Sequence, residues 1–368
     1  MTFPHYPKSR EIYSHTGLRG VAAMNVFLFH MYQGQHDGVF RLIDWGGGSV
    51  DLFFILSGFI LNWVYLGKGT SINWTAYVRA RVARILPLYY LTLFLYLPIH
   101  IYSMLRYGLT YVGKDYPSLL LSNLFMVSGI MDGWHHTFNI PAWSISVEFF
   151  CYLLIFPLLL VGWRIILSKP YSILISLILC LVFIRLLVCA YRMDPISIQH
   201  MIWNPSYIAR GVFGFACGFF ICGIYRLSLD KGWRPSIVLI NTVVLASILI
   251  FVITRYYAGH LMLYAFPFLV LFTAYDEGLF AILLKLSPLQ WLGERSYSLY
   301  LWHMPVLSFI AVYYKNIFLR LGVNPPYGIT YLLIVVGSVF LISELSYRYF
   351  ETACRDYIRN IGRTAQLS

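Results

Sequence analysis

The chain has 368 residues, is 59% hydrophobic and only 11% charged, and has a mean hydropathy of +0.69. Soluble domains carry roughly 25% charged residues, so a water-soluble globular protein is excluded, and the long continuous apolar runs exclude a β-barrel built from alternating segments of about ten residues. The formal net charge of +12 would suit a nucleic-acid partner, but its distribution along the chain argues against one.

About 20 apolar residues are needed for each membrane-spanning helix. The expected architecture is an all-α polytopic membrane bundle of about ten transmembrane helices, near 17–33, 46–66, 86–105, 141–161, 171–190, 207–225, 236–254, 259–275, 297–314 and 328–346. A single domain is expected over 1–368, with spans within 13–351 and a short basic cytoplasmic tail over 352–368. Residues 1–16 are polar and carry no signal-peptide pattern.

The first span, "GLRGVAAMNVFLFHMY", contains Arg19 and His30 among apolar and small residues. Eleven positions are close to three helical turns, so both fall on one face, roughly 16 Å apart along the axis. Ala22, Ala23 and Val26 lie between them and would leave room beside the helix. Arg19 would then sit near the cytoplasm and His30 near the far side, unless Arg19 merely snorkels to the interface.

In the second span, "GGGSVDLFFILSGFILNWVYL", Asp51 stands just inside the apolar run behind three glycines. A carboxylate within a membrane needs a partner, and His30 or Arg19 on the neighbouring span is the expected one. The following loop, "NWTAYVRARVARILPLYY", brings Arg79, Arg81 and Arg84 to a span mouth. Guanidinium forks suit phosphate groups, although a positive anchor on the cytoplasmic side would look the same. The apolar run 117–130 fits a re-entrant or interfacial segment better than a crossing.

The fourth span opens "NIPAWSISVEFF". Ser144 and Glu148, four apart, share a helix face, with Trp143 and Ser146 beside them, and Glu148 lies too deep to be an ordinary solvated residue. The ninth span holds His303, and the tenth closes with "ELSYRYFE", in which Glu344 and Arg348 form an i,i+4 pair expected to be structural. Five of the six cysteines fall in spans, with Cys354 in the tail and no zinc or disulfide spacing. His135 and His136 are adjacent, and with Asp132 they do not make a metal site. No metal is expected.

Ten spans put both termini on one side. That side then holds seventeen Lys and Arg outside the spans, against seven on the other. This bias predicts cytoplasmic termini and makes most of the charge topological, which leaves no nucleic-acid partner to explain.

Taken in order, Arg19 and His30, "VDLFFILSGFI", "RARVARILPLYY", "PAWSISVEFFCYLLIFP", "SYSLYLWHMPV" and "YRYFE" resemble the acyltransferase-3 family of integral membrane acyltransferases, which includes bacterial O-antigen, exopolysaccharide and Nod-factor O-acetyltransferases. The resemblance spans residues 13–351, with Ser49 and the Tyr89-Tyr90 pair as small departures. The stand-alone form, without an appended SGNH-type esterase domain, is expected.

The resemblance implies a plasma-membrane (bacterial inner-membrane) enzyme that takes an acyl group from cytoplasmic acyl-CoA, acetyl-CoA foremost, and delivers it to a hydroxyl of a cell-surface or lipid-linked glycan. A hydroxyl needs a general base, and histidine suits that role. His30, Arg19, Glu148 and Asp51 are the candidate catalytic residues. Arg79, Arg81 and Arg84 are candidates for the donor's phosphates, and Trp143, Ser144 and His303 for the substrate. Neither Ser57 nor Ser144 has a nucleophile-elbow setting, so direct transfer is expected over an acyl-enzyme. A transporter or flippase of a lipid-linked glycan is the alternative, although the two repeated halves common in transporters are missing from the sequence.

Overall fold

A computed structural model describes residues 11–32, 46–66, 72–107, 110–111, 114–131, 138–167, 171–192, 205–257, 261–321 and 329–361. The chain is an all-α membrane bundle. A helix covers each of the ten apolar runs, and the elements beyond them are short.

α1 (Tyr13–Met31) and α2 (Gly48–Leu66) follow the first two runs. α3 (Trp74–Tyr107) is longer than its apolar run, because the polar segment ahead of it is also helical. Asn73 starts that extension by accepting the Ala76 N–H on its side chain at 3.0 Å, the usual role of an N-cap asparagine. A two-residue antiparallel pair, β1 (Thr110–Tyr111) with β2 (Lys114–Asp115), precedes α4 (Tyr116–Leu124) and α5 (Ser128–Met131). The run 117–130 is therefore two short helices broken at Met126, which has a φ of 55°. At 1.5 Å per residue neither is long enough to cross a membrane. Tyr89 and Tyr90 hold this segment by donating to the carbonyls of Asn123 and Leu124 at 2.9 and 2.8 Å.

α6 (Ala142–Phe150) continues through a π turn (Cys151–Ile155) into α7 (Phe156–Leu167). α8 (Ser172–Arg192), α9 (Pro205–Asp230), α10 (Ile237–Tyr257) and α11 (Met262–Thr273) follow. The short helices α12 (Leu279–Leu284) and α13 (Ser287–Glu294) lead into α14 (Ser296–Arg320). α15 (Ile329–Leu345) runs through a second π turn (Ser346–Glu351) into α16 (Thr352–Asn360). Among the described residues, five stretches qualify alone as membrane-crossing by length and composition: 48–66, 74–102, 142–163, 206–230 and 329–360.

α2 packs against α9, and α9 against α8; α1 packs against α13 and α14. Helices gain little from apolar burial in lipid, so contact depends on small residues that bring backbones together. Gly58 and Gly218 show this at the α2–α9 crossing. A Cβ on Gly58 would sit 1.9 Å from the Phe215 carbonyl oxygen, and one on Gly218 would sit 1.8 Å from that of Ile55.

Candidate active site

α1 carries both polar residues of the opening motif, but the space between them differs from the expectation. Ala22, Ala23 and Val26 are buried against neighbouring helices, with Ala23 in a cluster that includes Leu299 and Val306. Ala23 packs towards α14, Ala22 and Val26 belong to the main core, and Arg19 and His30 fall in two separate clusters.

The Arg19 cluster surrounds a cavity of about 800 Å³, its open mouth included. α1 contributes Arg19, α2 Ser57, and α3 Arg81 and Arg84; α6 contributes Ser144 and Glu148, and α14 Ser296 and Tyr300. Arg81 and Arg84, three apart, share a helix face. Arg79, two positions before Arg81, is not among the residues that line the cavity. Arg19 donates to the Ser296 hydroxyl at 3.0 Å. The Arg81 guanidinium lies over the rings of Tyr65, Tyr77 and Tyr152 at 5.7, 5.9 and 5.5 Å, and its Nε is buried with no hydrogen-bond partner. Glu148 accepts from both Ser57 and Tyr152 through one oxygen. The π turn after Glu148 helps to place Tyr152, whose carbonyl accepts the Tyr77 hydroxyl at 2.7 Å. Such turns recur at functional sites.

At the inner end of the cavity, the Tyr300 hydroxyl pairs with that of Ser144 at 2.7 Å and donates to the Pro141 carbonyl at 3.3 Å. Beyond Tyr300, 5.9 Å between ring centroids, lies His303, which is fully buried.

His303 faces His30, with Nε2 of the first 3.2 Å from Nδ1 of the second. Carbonyl oxygens only accept hydrogen bonds, and this sets the tautomers. His303 Nδ1 lies 3.2 Å from the Leu299 carbonyl, so it carries the proton and Nε2 of the neutral ring holds a lone pair. His30 Nδ1 lies 3.0 Å from the Val26 carbonyl, so it too carries its proton and shares it with His303 Nε2. Neutral His30 therefore keeps its lone pair on Nε2, the arrangement a general base requires.

Asp51 is paired elsewhere than expected. Its partner is Arg210 on α9, which donates from Nε to Oδ1 at 3.0 Å and from Nη2 to Oδ2 at 2.8 Å; the side chains of Asp51 and Arg210 are 0% and 12% exposed. Asp51 lies on the side of α2 that meets α9, away from Arg19 and His30. Trp143 joins this group, since the Arg210 guanidinium lies 5.6 Å from its ring centroid and 5.7 Å from that of Tyr207.

The sequence pattern pointed neither to Arg210 nor to Tyr152, and Ser57 was weighed there only as a nucleophile. Arg210 stood near the start of its apolar run, where a boundary charge draws little notice, although an intramembrane charge marks a functional candidate. Arg226, counted as a topological charge, is buried and donates to the Asn62 side chain at 3.2 Å and to the Asn62 carbonyl at 3.1 Å. The Glu344–Arg348 pair forms, with Arg295 joining Glu344. Asp132, His135 and His136 lie outside the described residues. Among the described residues, no three or more His, Cys, Asp or Glu side chains come together as a metal group.

Residues 12–344 match the family model described as an acyltransferase domain. The O-acetyltransferase OatA of Staphylococcus aureus is 23% identical over 361 residues, covering 92% of this chain and 56% of that protein. The peptidoglycan O-acetyltransferase OatA of Listeria monocytogenes is 25% identical over 373 residues, covering 92% and 55%. The acyltransferase MdmB of Streptomyces mycarofaciens is 34% identical over 163 residues, covering 41% and 40%. The chain thus spans about half the length of the two O-acetyltransferases. No solved structure matches it.

Proposed function

The chain belongs to the acyltransferase-3 family, and from that premise we propose that it moves an acyl group, acetyl foremost, from cytoplasmic acyl-CoA to a hydroxyl of a cell-surface or lipid-linked glycan. It does so as one domain in the bacterial inner membrane, with ten spans and both termini cytoplasmic. The observation that carries this reading is the single cavity lined by Arg19, Arg81, Arg84 and Glu148. Guanidinium groups supply charge and forked donors for phosphates, and the ring of Tyr300 separates the inner end from the histidine pair.

In this reading the donor's phosphates lie against Arg81 and Arg84, and its thioester reaches past Arg19 towards Tyr300. His30 Nε2 takes the proton of the acceptor hydroxyl as its oxygen bonds to the acyl carbon. The carbon–sulfur bond breaks, CoA leaves as the thiolate, and the proton passes from His30 to that sulfur. Glu148 holds Ser57 and Tyr152 in place at the cavity wall. Tyr300 lines the cavity and also meets His303, so the acyl group passes this residue on its way from the arginines to His30.

Membranes containing the protein, incubated with labelled acetyl-CoA and a cell-envelope glycan extract, should transfer label to the glycan. Arg84→Ala should raise the KM for acetyl-CoA, with little change in that for the acceptor. A charge-assisted hydrogen bond is worth about 1.5–3 kcal/mol, so the rise should be roughly ten- to a hundredfold. Glycan that crosses the membrane without gaining label would identify a transporter instead.

Cysteines placed at Lys8 and Lys114 should react with impermeant reagents from opposite faces of sealed membranes. Reaction of both from one face would overturn the ten-span topology.

A further inference from the structure

α3 and the α15–α16 helix are both longer than a bilayer requires. The first has 34 residues, and the second runs for 32 residues, from Ile329 to Asn360. At 1.5 Å per residue these are roughly 51 and 48 Å long, against a hydrocarbon core of about 30 Å. Their surplus ends are polar and they meet, α16 packing against α3. The matched family region ends at residue 344, so α16 lies beyond it.

This contact brings more arginines close to Arg81 and Arg84. Arg359 lies within electrostatic reach of Arg355, Arg81 and Arg84. Glu351, at the end of the second π turn, is within reach of Arg84, Arg355 and Arg19. The carboxylates nearby do not neutralise the group. Glu351 is buried and accepts from Ser298 at 2.7 Å, Glu148 is held by Ser57 and Tyr152, and Asp356 is largely exposed, 3.9 Å from Arg355 Nε. Five guanidinium groups therefore face three carboxylates.

Two of the guanidinium nitrogens are buried without any hydrogen-bond partner: Nε of Arg81 on α3 and Nε of Arg355 on α16. A buried donor left unpaired is costly, and here one comes from each side of the contact. Like charges packed together with donors unspent are completed by an anion that carries several acceptor oxygens. Phosphate groups meet that need, and guanidinium forks are shaped for them.

We propose that Arg355 and Arg359 complete, with Arg81 and Arg84, a binding site for the phosphate groups of the acyl donor. This rests on the reading of the chain as a CoA-dependent transferase. CoA presents a diphosphate and a ribose phosphate, so four arginines on two helices can grip it at more than one point. The phosphates of anionic lipid headgroups share the same chemistry, and the test must separate the two sources.

The full-length protein in vesicles is assayed with acetyl-CoA, 3′-dephospho-acetyl-CoA and acetyl-pantetheine, which has no diphosphate or ribose phosphate. Wild type, Arg355→Gln, Arg359→Gln and the double variant are compared, in phosphatidylcholine alone and with phosphatidylglycerol added. In the wild type the KM for acetyl-pantetheine should exceed that for acetyl-CoA by a large factor. The double variant should cut this advantage about tenfold or more, in both kinds of vesicle, with 3′-dephospho-acetyl-CoA intermediate. Arg355→Lys with Arg359→Lys should restore part of it.

Equal effects on all three donors would overturn the proposal by reducing α16 to a structural prop. An effect confined to phosphatidylglycerol vesicles would also overturn it and assign the arginines to lipid. A wild type that turns over no CoA thioester while the folded protein is present would sink the transferase reading itself, and this site with it.

Discussion

His30→Gln should lower kcat by about 10²–10⁴, the usual worth of a general base, while donor binding survives. Glutamine keeps hydrogen bonding and loses the titrating lone pair, so the variant separates proton transfer from shape. Arg19→Lys should act differently: the charge stays, the planar fork is lost, and donor binding or positioning weakens. The measurements are turnover and donor affinity, taken separately on purified, folded variants. Wild-type turnover in His30→Gln would make the residue structural and pass the role of base to Glu148.

The second large effect is on stability. Arg210→Ala should cost about 3–5 kcal/mol, because it leaves the fully buried Asp51 carboxylate without its partner. Changing both residues, Asp51→Asn with Arg210→Gln, should recover much of that loss, since no uncompensated charge remains. Thermal melting in detergent would show a marked fall for the single variant and a partial return for the double. A single variant that melts like the wild type would mean that the pair does not hold α2 to α9.

Much of the site was legible within single helices. Arg19 and His30 share one helix because eleven residues bring the phase back, and Arg81 and Arg84 share a face because three residues nearly do. Every apolar run carries a helix, since hydropathy alone decides that in a bilayer. The length of α3 was harder to read, because its first turns are polar and its start is set by Asn73, whose capping role is visible only once α3 is known to begin there.

The pairings between distant segments could not be read. Asp51 and Arg210 are separated by 159 positions, His30 and His303 by 273, and Ser57 and Glu148 by 91. Nothing in the local pattern says which way α2 is turned, so Asp51 could have faced α1 as readily as α9. Gly58 and Gly218 settle this in the fold, as they let α2 and α9 approach on that side. The division of Arg19 and His30 into separate clusters escaped for a similar reason: alanines can leave a gap or allow close packing, and only the neighbouring helix decides which.

That packing bears on the energetics of the cell. A membrane holding 100 mV stores about 2.3 kcal/mol for each elementary charge that crosses it, and a water-filled seam from Arg19 to His30 would let protons run down that gradient. Ala22, Ala23 and Val26 are buried against their neighbours, so water is kept off this helix face between the two residues, and under the proposed transfer this stretch of α1 would act as an insulating septum.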